Sequence, residues 1–150
     1  MSSSGISRLV EQLRDKNANT GCAAMKALQE LSMQSDEVYP YMHHFSKLLN
    51  ESNSYCRNRA LILIAANAKR DRDNKIDEVM DRYLRCITAP KPITARQCIQ
   101  NLPEIPQHKP ELRENILTAL GRADVSRYAD SMQPLVLKNI QNPMETIRGM

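Results

Sequence analysis

The chain has no tryptophan and a single phenylalanine, and aromatic residues make up 4% of its 150 positions. Glycine is also scarce, at four. An all-β fold is excluded by this composition, because it lacks both aromatic strand residues and turn glycines. No two glycines lie close enough to form a phosphate-cradling loop, which excludes nucleotide sites of that design. The longest apolar run, Ala60 to Ala66, reads ALILIAA and is too short to span a bilayer. The opening MSSSGISRLVEQLRDK lacks the basic flank and apolar stretch of a secretory leader. A cytoplasmic location with no membrane partner is therefore expected. Cys22, Cys56, Cys86 and Cys98 form no CxxC pair. In a reducing compartment they read as small buried apolar side chains.

Catalytic constellations are missing too. His43 and His44 are adjacent, so on a helix they diverge, with His44 near the apolar face beside Tyr41 and His43 outward. Metal binding would call for ligands one turn apart with acids or thiols. His108 sits beside Lys109 and Pro110 without a catalytic companion, and no GxSxG elbow occurs. No metal, no other cofactor and no enzymatic activity are expected.

What is present is helical periodicity. Ile6, Leu9, Val10 and Leu13 fall on one helix face. So do Ala24, Leu28 and Leu31; Val38, Tyr41, Met42, Phe45, Leu48 and Leu49; and Ala60, Leu61, Leu63, Ile64 and Ala68. Four further stripes follow, ending with Leu135 to Ile140. The intervening segments, among them NESNS, KRDRDN, PQHKP and GRADVS, are short and polar. Asp36, Ser54, Asp73 and Asp124 are expected to cap helices, and Pro92 and Pro110 to occupy first turns. The result is eight helices, with consecutive ones antiparallel across short loops.

The second helices repeat. TGCAAMKALQEL from Thr20, CRNRALILIAAN from Cys56 and TARQCIQNLPEI from Thr94 superimpose at offsets of 36 and 38 residues. Ala24, Ala60 and Cys98 then coincide, as do Leu28, Ile64 and Leu102. Small residues recur where helices approach closely, and large aliphatics follow one turn later. These units resemble HEAT repeats of the armadillo-like class; the Trp, Gly and Tyr signature of tetratricopeptide units is missing. The resemblance implies an all-α, right-handed α-α superhelix of about four hairpins. It would form a single domain over 1–150, with pairs near 5–34, 36–70, 73–106 and 109–142. Arg57 matches the position at which HEAT units place an arginine bonded to the preceding turn, where the other two units carry Gly21 and Ala95.

The resemblance also places the second helices on a concave side. The aligned rows there read Cys22, Asn58, Arg96; Ala23, Arg59, Gln97; and Lys26, Ile62, Gln100. The candidate binding residues are accordingly Arg57, Asn58, Arg59, Ile62, Arg96, Gln97 and Gln100. The segment from Ser54 to Arg70 carries Arg57, Arg59, Lys69 and Arg70 and no acid, which would give an anion-facing groove. The competing reading is a solvated helix face. Asn67 and Asn101 fall on apolar rows and are expected to pack beside loop carbonyls, the alternative being a hydrogen-bonded ladder on the concave side. The function expected is a non-catalytic protein-interaction scaffold or adaptor, with a protein partner carrying an acidic segment. The alternative is a nucleic-acid-binding HEAT-like protein with a basic groove. Glycosylase-like activity is disfavoured by the lack of aromatics to contact a base. The formal charge of +4, from 21 Lys and Arg against 17 Asp and Glu, permits either partner.

Overall fold

A computed structural model describes residues 3–150. The fold is all-α: nine helices and four 3-10 turns are found among the described residues, and no strand. The chain divides into two compact units, the first ending at Ile76 and the second running Asp77–Met150.

The first unit holds α1 (Ser3–Gln12), α2 (Ala18–Gln34), α3 (Met42–Leu48) and α4 (Ser54–Ala66). Helix α2 packs on α1 and on α4, and α3 packs on α4. Helix α4 is therefore covered on two sides. This explains why Leu61, Leu63, Ile64 and Ala65 are all buried although they cannot share one helix face. Around them lie Ile6 and Val10 from α1, Leu13 just after it, Ala24 and Leu28 from α2, and Met42, Phe45 and Leu48 from α3. The expected small-residue and aliphatic positions are fully internal in both second helices.

The helix starts depart from expectation by small, explicable amounts. Helix α4 is capped by the Asn53 side chain, which accepts from the Tyr55 and Cys56 amides, so Ser54 is the first helical residue rather than the cap. Asn17 caps α2 in the same way. The helix expected from Asp36 begins late: Tyr39–Tyr41 forms a 3-10 turn and α3 starts at Met42. Pro40 is the cause, since it lacks an N–H and disfavours helical geometry in the residue before it. Asp73 does not cap α5 (Lys75–Arg85). The Asp71 carboxylate does, accepting from the Lys75 and Ile76 amides at 2.9 and 3.1 Å. The chain reaches it through Asn74 at φ 56°, left-handed backbone that asparagine tolerates better than most residues. Tyr39 donates its hydroxyl to Asp71 at 2.8 Å and accepts from the Asp73 amide at 3.1 Å. Burial and the neighbouring carboxylates push that phenol up to about 12, so it stays a donor.

The second unit comprises most of α5, then α6 (Pro92–Asn101), α7 (Glu104–His108), α8 (Arg113–Gly121) and α9 (Gln133–Arg148). Pro92 and Pro110 do occupy first turns. Helix α9 packs on both α6 and α8, and Val136, Ile140 and Ile147 are buried along it. It continues through Pro143 to Arg148, past the expected end near 142. Residues 122–132 form a longer connection than expected, pinned by Tyr128, whose hydroxyl donates to the Ala89 carbonyl, and by Arg127, which donates to the Thr88 carbonyl at 2.6 Å. Asp124 accepts from Ser126 within this connection instead of capping a helix. Lys109 is 4% exposed and ion-paired with Asp77, tying the start of the last hairpin to α5.

Gly21 and Arg59 approach each other closely in the first unit. A Cβ on Gly21 would lie 2.2 Å from the Arg59 guanidinium carbon. That guanidinium donates to the Leu13 carbonyl at 2.7 Å and the Ala18 carbonyl at 3.4 Å, and its carbon lies 5.7 Å from the centre of the Tyr55 ring. Glycine inside a helix costs about 1 kcal/mol relative to alanine. Hydrogen bonds to a charged donor contribute about 1.5–3 kcal/mol each, so the arginine seat outweighs the glycine penalty. Gly21→Ala is therefore expected to lower the unfolding free energy by about 1 kcal/mol or more despite its better helix propensity. Arg59→Ala is expected to cost about 2 kcal/mol. Urea unfolding of the two single variants and the double variant should show strong non-additivity, because the second change removes a contact already lost.

Candidate interaction surface

The seven candidate residues divide between the units. Arg57, Asn58, Arg59 and Ile62 lie on α4, and Arg96, Gln97 and Gln100 lie on α6. Those on α4 are not the exposed row expected. Arg59 is 5% exposed, its charge facing the α1–α2 connection. Ile62, Arg57 and Asn58 are half-buried. The arginine that bonds to the preceding turn is Arg59 and not Arg57, whose buried Nε has no hydrogen-bond partner. The offset is two residues, which on a helix moves a side chain by more than half a turn.

The other cations of this segment are also committed internally. Lys69 Nζ donates to the Met33 carbonyl at 3.1 Å. Arg70 donates to the Ser32 and Met33 carbonyls at 3.4 and 3.2 Å. These carbonyls close α2, where cationic side chains are favoured. Asn67, fully buried, donates to the Leu63 carbonyl at 2.8 Å and to Ser32 Oγ at 3.1 Å. Asn101 donates to the Gln97 carbonyl at 2.7 Å. Both amides thus bond to a carbonyl one turn back in their own helix rather than to the loop carbonyls expected. The basic segment is thus an internal clamp at Arg59 and at Lys69 and Arg70.

The second unit presents a different face. Arg96 and Gln100 are exposed on α6, Gln97 is half-buried, and Ile93, one turn before Arg96, is 67% exposed. Ile93 and Arg96 face Met132, Leu135, Val136 and Asn139 across a shallow cavity of about 110 Å³ between α6 and α9. Leu135 is 41% exposed. Helix α6 carries no acid, nor do residues 133–144 of α9. Ile93 and Leu135 are binding candidates that the repeat alignment misses, because its third copy starts at Thr94 and it does not reach α9. The signal in the sequence is the stripe Ile93, Arg96, Gln100, spaced i, i+3, i+7.

Another cavity lies in the first unit, between α1 and α3. It measures about 370 Å³ and is lined by Ser7, Glu11, Arg14, Tyr41 and His44 with Val10 and Leu48. Ser7 Oγ and the Tyr41 hydroxyl are 2.7 Å apart, and Arg14 pairs with Glu51. His43 is exposed and His44 half-buried, as the helix geometry requires. Elsewhere Cys56, Cys86 and Cys98 are buried and Cys22 half-buried. Burial pushes the Cys98 thiol well up, and it donates to the Tyr83 carbonyl at 3.2 Å, so it is not poised as a nucleophile.

Residues 10–108 match the family described as Integrator complex subunit 1, R4 domain. The chain belongs to that family. The match covers about two thirds of the sequence and supports a helical-repeat assignment for all of α2 to α7. No curated protein and no solved structure matches. Among the described residues, no helix of this R4-family chain is long and apolar enough to cross a membrane.

The His44 environment has a measurable consequence. Burial, then the charges of His43, Lys47 and Arg14, lower its pKa from the ordinary 6.5. The unfolded chain therefore binds this proton more readily than the folded one. Stability is full above pH 6.5 and is lost as pH falls through 6.5 toward the folded value. Urea midpoints measured on either side of that value should fall on acidification, and by less in His44→Gln. An equal fall in both proteins would assign the acid sensitivity to other groups.

Proposed function

We propose that the chain is a non-catalytic protein-interaction scaffold within a multiprotein complex, built on HEAT-like helix pairs. The observation that carries this reading is its membership, over residues 10–108, in the R4-domain family of an Integrator complex subunit. The disposition of its side chains supports it. The most constrained polar groups, Arg59, Asn67 and Arg70, bond to the protein's own backbone and side chains, while large aliphatic side chains are left at the surface. That is an arrangement for holding a rigid shape and offering contact area. Its compartment is then that of the complex it joins, rather than the cytoplasm as such. The nucleic-acid reading loses support, because Arg59, Lys69 and Arg70, three of the four cations of the segment from Ser54 to Arg70, donate to carbonyls of the fold.

The test is quantitative affinity purification of the full chain from its native cells, with size-exclusion analysis of the eluate. Partner proteins recovered at near-equal stoichiometry and resistant to nuclease treatment are expected. A free monomer without stoichiometric partners would overturn the scaffold reading. So would material whose associations vanish with nuclease, and binding to duplex DNA that falls steeply with salt would then favour the alternative.

A further inference from the structure

The face formed by α6 and α9 has features of its own. Ile93 and Leu135 stand out from it beside a small cavity, and two helices in contact present a groove into which the side-chain ridge of a third can fit. Along α6 and residues 133–144 of α9 the charged side chains are all basic. Lys91, Arg96 and Lys138 are exposed, and the acid-free stretches of both helices offer them no carboxylate. The acids nearest in sequence are Glu104 after α6, and Asp130 and Glu145 on either side of Lys138; Asp130 accepts from Gln133 at 3.4 Å. We infer that this face binds one acidic, amphipathic helix of a partner protein, whose aliphatic stripe covers Ile93 and Leu135 and whose carboxylates meet Arg96 and Lys138. The inference rests on the scaffold reading and names the chemistry of one partner.

Other occupants fit less well. A second copy related by a two-fold axis would set Arg96 and Lys138 against themselves, and like charges across an interface are repulsive. A phosphate backbone would satisfy the cations but cover neither aliphatic side chain, and its affinity comes from the charges alone. An acidic helix does both: the aliphatic contact supplies affinity and the charged rim supplies orientation and encounter rate.

The full chain should be titrated with two synthetic helical peptides of about 16 residues. Both carry leucines at i, i+4 and i+7; one is flanked by glutamates and the other by lysines. Binding is read by fluorescence anisotropy and mapped by amide NMR shifts. The acidic peptide is expected to saturate, to shift Ile93, Arg96, Leu135 and Asn139, and to bind roughly tenfold or more tightly than the basic one. Arg96→Glu and Lys138→Glu should each narrow that preference and together reverse it. Ile93→Ser with Leu135→Ser should weaken both peptides. These positions are exposed or partly exposed, and urea unfolding checks that each variant is folded. Equal affinity for the two peptides, shifts elsewhere, no saturable binding, or self-association through this face would overturn the inference. Stoichiometric partners retained unchanged by Arg96→Glu and Lys138→Glu would also overturn it while leaving the scaffold reading intact. Peptide binding without any stoichiometric cellular partner would instead remove the scaffold reading.

Discussion

A helix ends with carbonyl groups that no amide of its own can reach, and in this protein those groups are closed by side chains from about one repeat later. Lys69 and Arg70 take the carbonyls at the end of α2 from 36 to 38 residues away. Arg127 and Tyr128 take Thr88 and Ala89 from 39 residues away. The same relation runs backwards at the end of α9, where Arg113 donates to Ile147 and Arg148 from 34 and 35 residues away. Each such bond contributes little alone, about 0.3–1 kcal/mol from the helix dipole at an exposed site. Their spacing matters more: a hairpin one period along is what supplies the cation, so the helix end and the stacking of pairs are satisfied together.

The same constraint shapes what remains for binding. A cation that donates to a backbone carbonyl has fewer donors left for an outside anion, and its side chain is held in place. Within the first unit this applies to Arg59, Lys69 and Arg70, so a string of basic residues becomes part of the fold. Within the second unit Arg113, at the start of α8, and Arg127, in the connection before α9, are used in this way, and Arg96 on α6 is left exposed. On this face Arg96 shares a small cavity with the exposed Ile93 and Leu135. Protein surfaces with that composition suit macromolecular partners better than small anions.

Much of the fold was legible because its main signal is local. The stripes of α1, α5 and α6 need only one buried face each, and their apolar spacing reports it directly. Superposition of Ala24 on Ala60 and Cys98 worked because close helix approach tolerates only small residues at all three. The errors have equally local causes. Asn53 and Ser54 are both good caps, and their order of merit depends on backbone angles that residue type does not encode. Pro40 cuts the stripe beginning at Val38 without disturbing its periodicity. Along α9 the apolar pattern thins before Pro143, yet Ile147 is buried and the helix continues.

The candidate surface was harder to read, for a reason that Arg57 and Arg59 make plain. Alignment by period assigns equivalent positions equivalent surroundings, and that holds for core positions because neighbouring pairs pack alike. It fails for long polar side chains, whose heads lie several ångströms from their backbone and go wherever a carbonyl is open. Arg59 could leave an apparently exposed row because Gly21 has no side chain to block it, so the fate of one residue was written at a position 38 residues earlier. Ile93 shows the converse. It looks like a core aliphatic by residue type, and only the placement of α9 leaves it at the surface. What the repeat leaves uncovered in the second unit is Arg96 with Ile93 and Leu135, the side chains on which the proposed binding rests.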